Sequence, residues 1–343
     1  MPSQKALFLQ EKQGAFVVGT RDIPSPKPDE ILVKIKATAL NPVDWKLKKY
    51  GPPLIQSYPA IVGADIAGDI VEIGADVQGF KVGDRVLFQG SWGDDYAAFQ
   101  QYAKVPAEIA AKIPESVSYS QAASVPAGLA AAAIGLFWTI TGAGLNPNLD
   151  KNVQFTGQSA VVIGGSASIG QYAIQLLRWA GFSAIIAYAS GHHTDVLKVL
   201  GATHIIDRKS VDINDLATEV KKLTDKPVKV VFDAISVSDT QEAGYAALAE
   251  GGDLIVALPS EIKSPVESKK VAVLWGNVHP EVYRPFGRAL YRKLTQFLED
   301  GTIVPNKVEE LPNGLAGIPD GLERLRNDQV SGKKLVALPQ ETS

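Results

Sequence analysis

One stretch, "SAVVIGGSASIGQYAIQLLRWAG" (159–181), constrains the fold more than any other. It begins as an apolar strand and passes through seven residues, Gly164 to Gly170, that contain no large polar side chain. It then continues as an amphipathic helix. A strand that turns directly into a helix is the first half of a βαβ unit. The chain after it keeps the same rhythm. "SAIIAYAS", "THIID", "VKVVFDAIS" and "DLIVALP" read as strands, while "DVLKVLGA", "DINDLATEVKKLT" and "DTQEAGYAALAEGG" between them read as helices. Such alternation predicts a doubly wound parallel sheet with crossover helices.

The texture on either side differs. "ILVKIKATAL" (31–40) alternates apolar and polar residues like a half-buried strand. "IAGDIVEIGADV", "GDRVLFQG" and the segments around "YAAFQQYAKVP" (96–106) read as short strands punctuated by glycine, the pattern of a small barrel. "AGLAAAAIGLFWTI" (127–140) is too short to span a bilayer and predicts a buried helix. From about 285 a helix, a loop with a second helix, and a last strand, "GKKLVAL", follow; that strand can return to the first sheet. The 343 residues suit two domains of about 150 each. The expected division is 1–125 completed by 285–343, and 126–284 between them.

A formal net charge of −3 leaves no electrostatic footprint for nucleic acid or for a membrane surface, so neither is an expected partner. The absence of cysteine excludes disulfides, thiolate catalysis and every cysteine-based zinc site. The first residues lack the apolar core of a secretory leader. A cytoplasmic protein acting on a small molecule is the expectation.

Gly165, Ala167 and Gly170 stand at the spacing G-x-G-x-x-G with alanine in the middle. The first small residue allows the tight turn, the second lets backbone approach a pyrophosphate, and the third lets helix and strand pack closely. Ser166, Ser168 and Ile169 complete the loop, whose N–H groups and helix N-terminus suit phosphate. The bland alternative is an ordinary strand-to-helix turn. An NAD site would place Asp or Glu at the end of the second strand, for the ribose 2′-OH. Here that position is Ser190, followed by His192 and His193, with Arg208 just past the third strand. A hydroxyl and cationic groups suit a 2′-phosphate, which points to NADPH; the alternative for the histidines is a solvated loop.

These residues, with "ALNPVDWK" (39–46), "PAIVGADIAGDIVEIGADV" (59–77), "FKVGDRV", "VPAGLAAA", "KVLGATHIID", "VVFDAIS" and "SGKKLVAL" (331–338), follow one family's order along almost the whole chain. The chain resembles the medium-chain dehydrogenase/reductase superfamily, in its zinc-independent quinone oxidoreductase and enoyl reductase branch. "GGSASIGQYAIQL" further resembles fungal stand-alone enoyl reductases that serve polyketide synthases. The resemblance implies an α/β protein with a GroES-like β-barrel catalytic domain and a Rossmann dinucleotide-binding domain.

Zinc-dependent members ligate their catalytic metal at three positions that read Asn41, Ala64 and Asp65 here. The resemblance therefore implies metal-free hydride transfer to an electron-poor C=C or to a quinone. It places Asn41 beside the nicotinamide, with an amide able to donate to a carbonyl oxygen, although "NP" is also a common turn. It places Asp44 near the cofactor. Tyr50 becomes a proton donor or pocket residue, and Trp92 and Tyr96 ("GSWGDDYAAF") become members of a substrate loop, with surface exposure or core packing as the alternatives. Ile235 and Leu258 end strands that line the cofactor crevice, and Lys333 is a candidate to reach the cofactor. The sequence departs from the family at Ala131, where relatives often carry threonine, and at Arg208, where they commonly carry tyrosine.

Three functions remain open at this point: an NADPH-dependent alkene or quinone reductase, a trans-acting enoyl reductase with a carrier-protein partner, and a non-enzymatic NADPH-binding protein of the crystallin kind. The basic cluster "KLKKY" (46–50) suits an acidic carrier. Relatives pair edge strands of their parallel sheets, so homodimer and monomer are both expectations.

Overall fold

The computed structural model describes residues 2–51, 55, 57–91 and 93–343. The chain separates into two compact units, the first Met1–Ala127, Asn277–Asp300 and Pro305–Ser343, the second Gly128–Gly276 and Gly301–Val304. In chain order the first unit opens with β1 (Ser3–Leu9), β2 (Phe16–Asp22), β3 (Glu30–Ala39), α1 (Pro42–Tyr50), β4 (Ala60–Ile61), β5 (Asp65–Ile73), β6 (Arg85–Gln89), β7 (Tyr102–Pro106), β8 (Ala110–Lys112) and α2 (Tyr119–Ala123). Next come α3 (Pro126–Phe137), β9 (Ser159–Ile163), α4 (Ser168–Trp179), β10 (Ala184–Ala189), α5 (Thr194–Leu200), β11 (His204–Asp207), α6 (Leu216–Leu223), β12 (Val228–Asp233), α7 (Ser238–Ala247), β13 (Asp253–Val256) and β14 (Lys270–Val273). The first unit resumes with α8 (Arg284–Glu299), β15 (Val308–Glu310), α9 (Ile318–Arg326) and β16 (Lys334–Ala337).

Among the described residues the first unit holds a three-stranded sheet, β2-β1-β4, and a larger one in the order β15-β16-β3-β5-β6-β8, with β7 also on β3. This is the GroES-like α/β architecture's strand-rich part. β3 is its hinge pin. One edge of β3 carries β5 along its length; the other is shared by β7 at Glu30–Lys34 and by β16 at Thr38–Ala39. That double pairing explains why β3 is almost wholly buried rather than half-buried, as its alternation predicts; only Lys34 and Lys36 reach partway to solvent. The last strand thus lies beside a strand made some 300 residues earlier. Of the segment 96–106, only Tyr102–Pro106 is a named strand; most of Gly93–Gln101 forms turns and bends that carry buried Ala97, Ala98 and Phe99.

The second unit is a six-stranded parallel sheet, β11-β10-β9-β12-β13-β14. This is the doubly wound order in which the strand sequence reverses at the centre, between β9 and β12. The strands are continuous apolar runs because helices cover both faces: β9 and β10 are buried at every position. Val161, Ile163, Ile186, Val231, Leu254 and Val256 anchor one core cluster. α3 is apolar around its whole circumference. The 19-residue helical stretch Tyr119–Phe137 is long and apolar enough to cross a membrane by composition, but 89% of its apolar window is buried inside the structure. It is a core helix.

Candidate active site

The candidate cofactor residues of the second unit lie at the reversal of strand order. β9 ends at Ile163 and the chain turns through Gly164, whose φ of +72° favours glycine. A Cβ on Gly165 would stand 2.9 Å from that of Ala187, and one on Gly170 would stand 2.3 Å from the carbonyl oxygen of Gly164. The last contact is with backbone, which cannot yield. Only glycine lets α4 begin so close to β9. Ala167 occupies the N-cap position in extended conformation, and the Gln171 side chain donates to the Ser166 carbonyl, fixing the loop from within. Ser166, Ala167, Ser168 and Ile169 are only half-buried. The first turn of α4 therefore offers N–H groups that a helix cannot satisfy internally, together with its positive dipole end. Such N–H groups and a positive dipole end suit an anion.

At the end of β10, Ser190 is buried, and its Oγ accepts a hydrogen bond from Arg208 Nε at 2.8 Å. The terminal guanidinium nitrogens of Arg208 are left for another acceptor. His193 closes the corner, its ring 3.9 Å from that of His192; burial, then the neighbouring His192 and Arg208 charges, hold its pKa below the ordinary histidine value. The nearby Asp207 carboxylate is engaged by the N–H groups of Gly191 and Lys209.

Across the reversal, Asp233 ends β12 fully buried. Its Oδ1 accepts the N–H groups of Ile235 and Ser236, and its Oδ2 accepts the Thr240 hydroxyl at 2.6 Å. Burial pushes its pKa up. Ser236, at φ +61°, donates its hydroxyl to the Asp233 carbonyl and accepts from Ala257 N–H, which ties the β12 loop to the β13 loop. Ile235, 44% exposed, is carried by this loop so that its side chain covers Gly164. Leu258 follows β13, half-buried. A Cβ on Gly276 would stand 2.7 Å from that of Ala131, so the two residues pack closely, and alanine offers no hydroxyl at position 131.

The second group of candidate residues lies in the first unit. Asn41 caps α1, and Asp44 Oδ2 accepts its backbone N–H at 2.7 Å. Asp44 is completely buried and its Oδ1 has no partner among the described residues; burial, with the charge of Asp65 adding to it, lifts its pKa to about 7. Asn41 Nδ2 donates to Asp65 Oδ2 at 2.8 Å, and Asn41 Oδ1 accepts from Lys334 Nζ at 2.6 Å. Lys334 and Asp65 also pair directly at 3.0 Å, with side chains 4% and 0% exposed. Asp65 Oδ1 accepts Ala127 N–H at 2.6 Å. Beside Asp65 in register is Gln89, whose backbone N–H donates to the buried Tyr291 hydroxyl and whose carbonyl lies 2.6 Å from His279 Nε2. Burial holds His279 down at about 4.

The remaining expectations fall elsewhere. Tyr50 ends α1, 56% exposed, with its ring near Lys49. The Tyr96 hydroxyl donates to Glu30 at 2.7 Å, beside the ion pair of Glu30 with Lys104. Lys333 pairs with Glu309 at the sheet edge, so its ammonium is engaged within the first unit. Trp92 lies outside the described residues. The residue that sequence reasoning missed is Lys334. A signal existed: in "GKKLVAL" one of two adjacent lysines sits inside an apolar strand, and strand alternation turns neighbours to opposite faces.

The donor set at Asn41, Ala64 and Asp65 does not fit zinc. Ala64 has no donor atom, and the lone pairs of Asn41 Oδ1 and Asp65 Oδ2 face an ammonium. Among the described residues no other group of His, Cys, Asp or Glu forms a metal set.

Comparisons with known proteins agree on kinship. The family model for the alcohol dehydrogenase GroES-like domain matches residues 27–115, and that for zinc-binding dehydrogenases matches 168–275. The chain is 30% identical to dehydrogenase mokE of Monascus pilosus, over 98% of this chain and 97% of that one. It is 29% identical to the enoyl reductase component lovC of the lovastatin nonaketide synthase of Aspergillus terreus, over 98% and 96%. Among solved structures, an alcohol dehydrogenase superfamily protein from Novosphingobium aromaticivorans superposes with a TM-score of 0.81 at 25% identity, covering 97% of this chain and 98% of that one.

Proposed function

The chain belongs to the medium-chain dehydrogenase/reductase superfamily, as an oxidoreductase with a nicotinamide cofactor, and from that premise we propose that it uses NADPH to reduce the C=C of an α,β-unsaturated carbonyl without a metal. The observation that carries this reading is the donor set at Asn41: a carboxamide N–H and a buried ion pair stand where metal-dependent relatives would need ligands. Alcohol oxidation leans on a Lewis acid to stabilise an alkoxide. Alkene reduction needs only a hydrogen-bond donor for the oxygen that gains charge.

When bound, the reduced nicotinamide supplies a hydride for the β-carbon. The chain's own residues do the rest. Ser166 to Gly170 hold the pyrophosphate with backbone N–H groups. Ser190, His193 and Arg208 hold the 2′-phosphate and so select NADPH. Ile235 and Leu258 confine the cofactor at the ends of β12 and β13. Asn41 donates its second Nδ2 proton to the carbonyl oxygen as negative charge develops there. The α-carbon then takes a proton from water or from Tyr50.

A second reading is a trans-acting enoyl reductase whose substrate is an acyl thioester on a carrier protein. The relative from Aspergillus terreus favours it. So does a cavity of about 330 Å³ in the first unit, lined by Phe16, Trp45, Leu322, Lys48 and Lys49 among others, with Arg326 there paired to Glu323. β14 is an edge strand, and a homodimer through it is part of the proposal.

The test is a calorimetric titration with NADPH and NADH, followed by NADPH oxidation with a 1,4-quinone, 2-cyclohexenone, an alkenal, and crotonyl thioesters free and carrier-bound. Turnover of enone or alkenal supports the first reading. Turnover confined to the carrier-bound thioester, weakened by salt, supports the second. Turnover of the quinone alone replaces the substrate class. Tight NADPH binding without turnover of any of them leaves the non-enzymatic reading standing.

A further inference from the structure

The relatives' zinc-binding name and this chain's donor set disagree, and the disagreement has a shape. Three neighbouring strands meet at one point: β3 pairs with β16 through Ala39 and Val336, and with β5 through Ala39 and Asp65. They bring together Asn41 just past β3, Asp65 at the head of β5 and Lys334 at the head of β16. We propose that Lys334 is a positioning residue. It supplies at this point the positive charge that a metal supplies in metal-dependent relatives, and uses it to orient the carboxamide of Asn41. The proposal rests on the reading of Asn41 as the oxyanion donor.

The argument is one of donor and acceptor inventory. An ammonium only donates, and a carboxylate only accepts. A carboxamide held between them has one permitted orientation, Oδ1 toward Nζ and Nδ2 toward Asp65. The reversed amide would set N–H against ammonium and carbonyl oxygen against carboxylate, both of them charges shielded from water. One Nδ2 proton is thereby used on Asp65, and the other remains for a ligand. A buried ion pair is weak evidence for stability, because desolvating both charges offsets their attraction. Fixing an amide is a task that would retain it nonetheless.

The Lys334→Met change alone would strand a buried carboxylate and endanger the fold. The test is therefore the neutral pair Lys334→Met with Asp65→Asn. The new Asn keeps an acceptor for Ala127 N–H but turns an N–H toward Asn41, which inverts the Asn41 amide. In the full chain with 15N-labelled asparagine, the Asn41 side-chain signals, identified by their loss in Asn41→Ala, should move and exchange faster. The turnover number should fall about 100-fold, as for loss of an oxyanion donor. NADPH affinity should stay within roughly twofold, since the cofactor loop is untouched. In an Asn41→Ala background the neutral pair should add nothing further.

Unmoved Asn41 signals overturn the proposal, as do additive losses, which would mean that Lys334 acts on something other than Asn41. If Asn41→Ala turns over like the wild type, both the oxyanion role and this positioning role fall. If no substrate is reduced by the wild type, the reaction reading falls alone, and the amide signals still decide whether Lys334 sets Asn41.

Discussion

The glycine loop after β9 and the Asn41 cluster beside β3 are built on opposite plans. The loop is seven consecutive residues, nearly devoid of polar side-chain chemistry, whose working parts are backbone N–H groups. The cluster is made of side chains brought together over separations of 24 and 293 residues and hydrogen-bonded to one another. Backbone sites are sensitive to added volume, because there is nothing to rotate away. Side-chain sites are sensitive to changes of charge and to exchange of donor for acceptor.

The largest effect follows from the first half of that contrast. Gly170→Ala adds a methyl 2.3 Å from a backbone oxygen. It should cost about 3 kcal/mol of stability and, by moving α4 off β9, about 100-fold in NADPH affinity by calorimetry. Unchanged affinity would break the comparison, since the loop would then tolerate volume as a side-chain site does.

The second half is sharpened by acid. Burial holds the pKa of His279 in the folded chain down at about 4, against about 6.5 for an ordinary histidine. Its folded pKa is depressed, so its contribution is complete above pH 6.5 and is lost as pH falls through 4. That loss amounts to about 3 kcal/mol. Asp44, held up at about 7, acts with opposite sign: its contribution is complete below the ordinary carboxylate range and is lost as pH rises through 7. The two oppose each other, so whole-chain acid stability hides both. The difference in denaturation free energy between wild type and His279→Gln, measured from pH 7.5 to 4, should narrow by about 3 kcal/mol as His279 charges. A constant difference would mean that His279 is not held neutral.

A smaller effect tests where the loop unit does rely on side chains. Arg208→Ala should weaken NADPH binding by about 10- to 100-fold, the worth of a charge-assisted hydrogen bond, and leave NADH binding unaltered. Equal loss for both cofactors would remove Arg208 from the 2′-phosphate. Smallest of all, Tyr50→Phe should change the turnover number by less than about threefold if water supplies the α-proton, whereas a loss of about 100-fold would make Tyr50 the acid.

The same contrast explains what could be read from the residues alone. The parallel sheet was legible because each strand and helix announces itself locally, and the glycine loop because its determinant is spacing within ten residues. Ser190 and Arg208 were legible because the strand order puts the ends of β10 and β11 side by side. The Asn41 cluster was legible only at Asn41. Its partners depend on which strand lies against which, and no local pattern says that β16 docks on β3. Lys333 and Lys334 are indistinguishable as letters. The pleat decides that one pairs with Glu309 at the rim and the other is buried on Asp65. The partner of Tyr96 was hidden for a related reason: Glu30, which accepts its hydroxyl hydrogen bond, lies 66 residues away.

The docking of β16 on β3 also sets an order of events during synthesis. Asp65 and Asn41 leave the ribosome about 270 residues before Lys334, which is roughly 15–55 s at ordinary translation rates. Throughout that interval Asp65 has no ammonium to meet. Enclosing it unpaired would cost several kcal/mol. The first strands can collapse around Ile31, Ile35 and Phe88, but their polar corner stays open until the last strand arrives. Lys334 therefore acts as a latch on assembly: a nascent chain stopped short of it holds a nearly finished sheet with one carboxylate still turned to water.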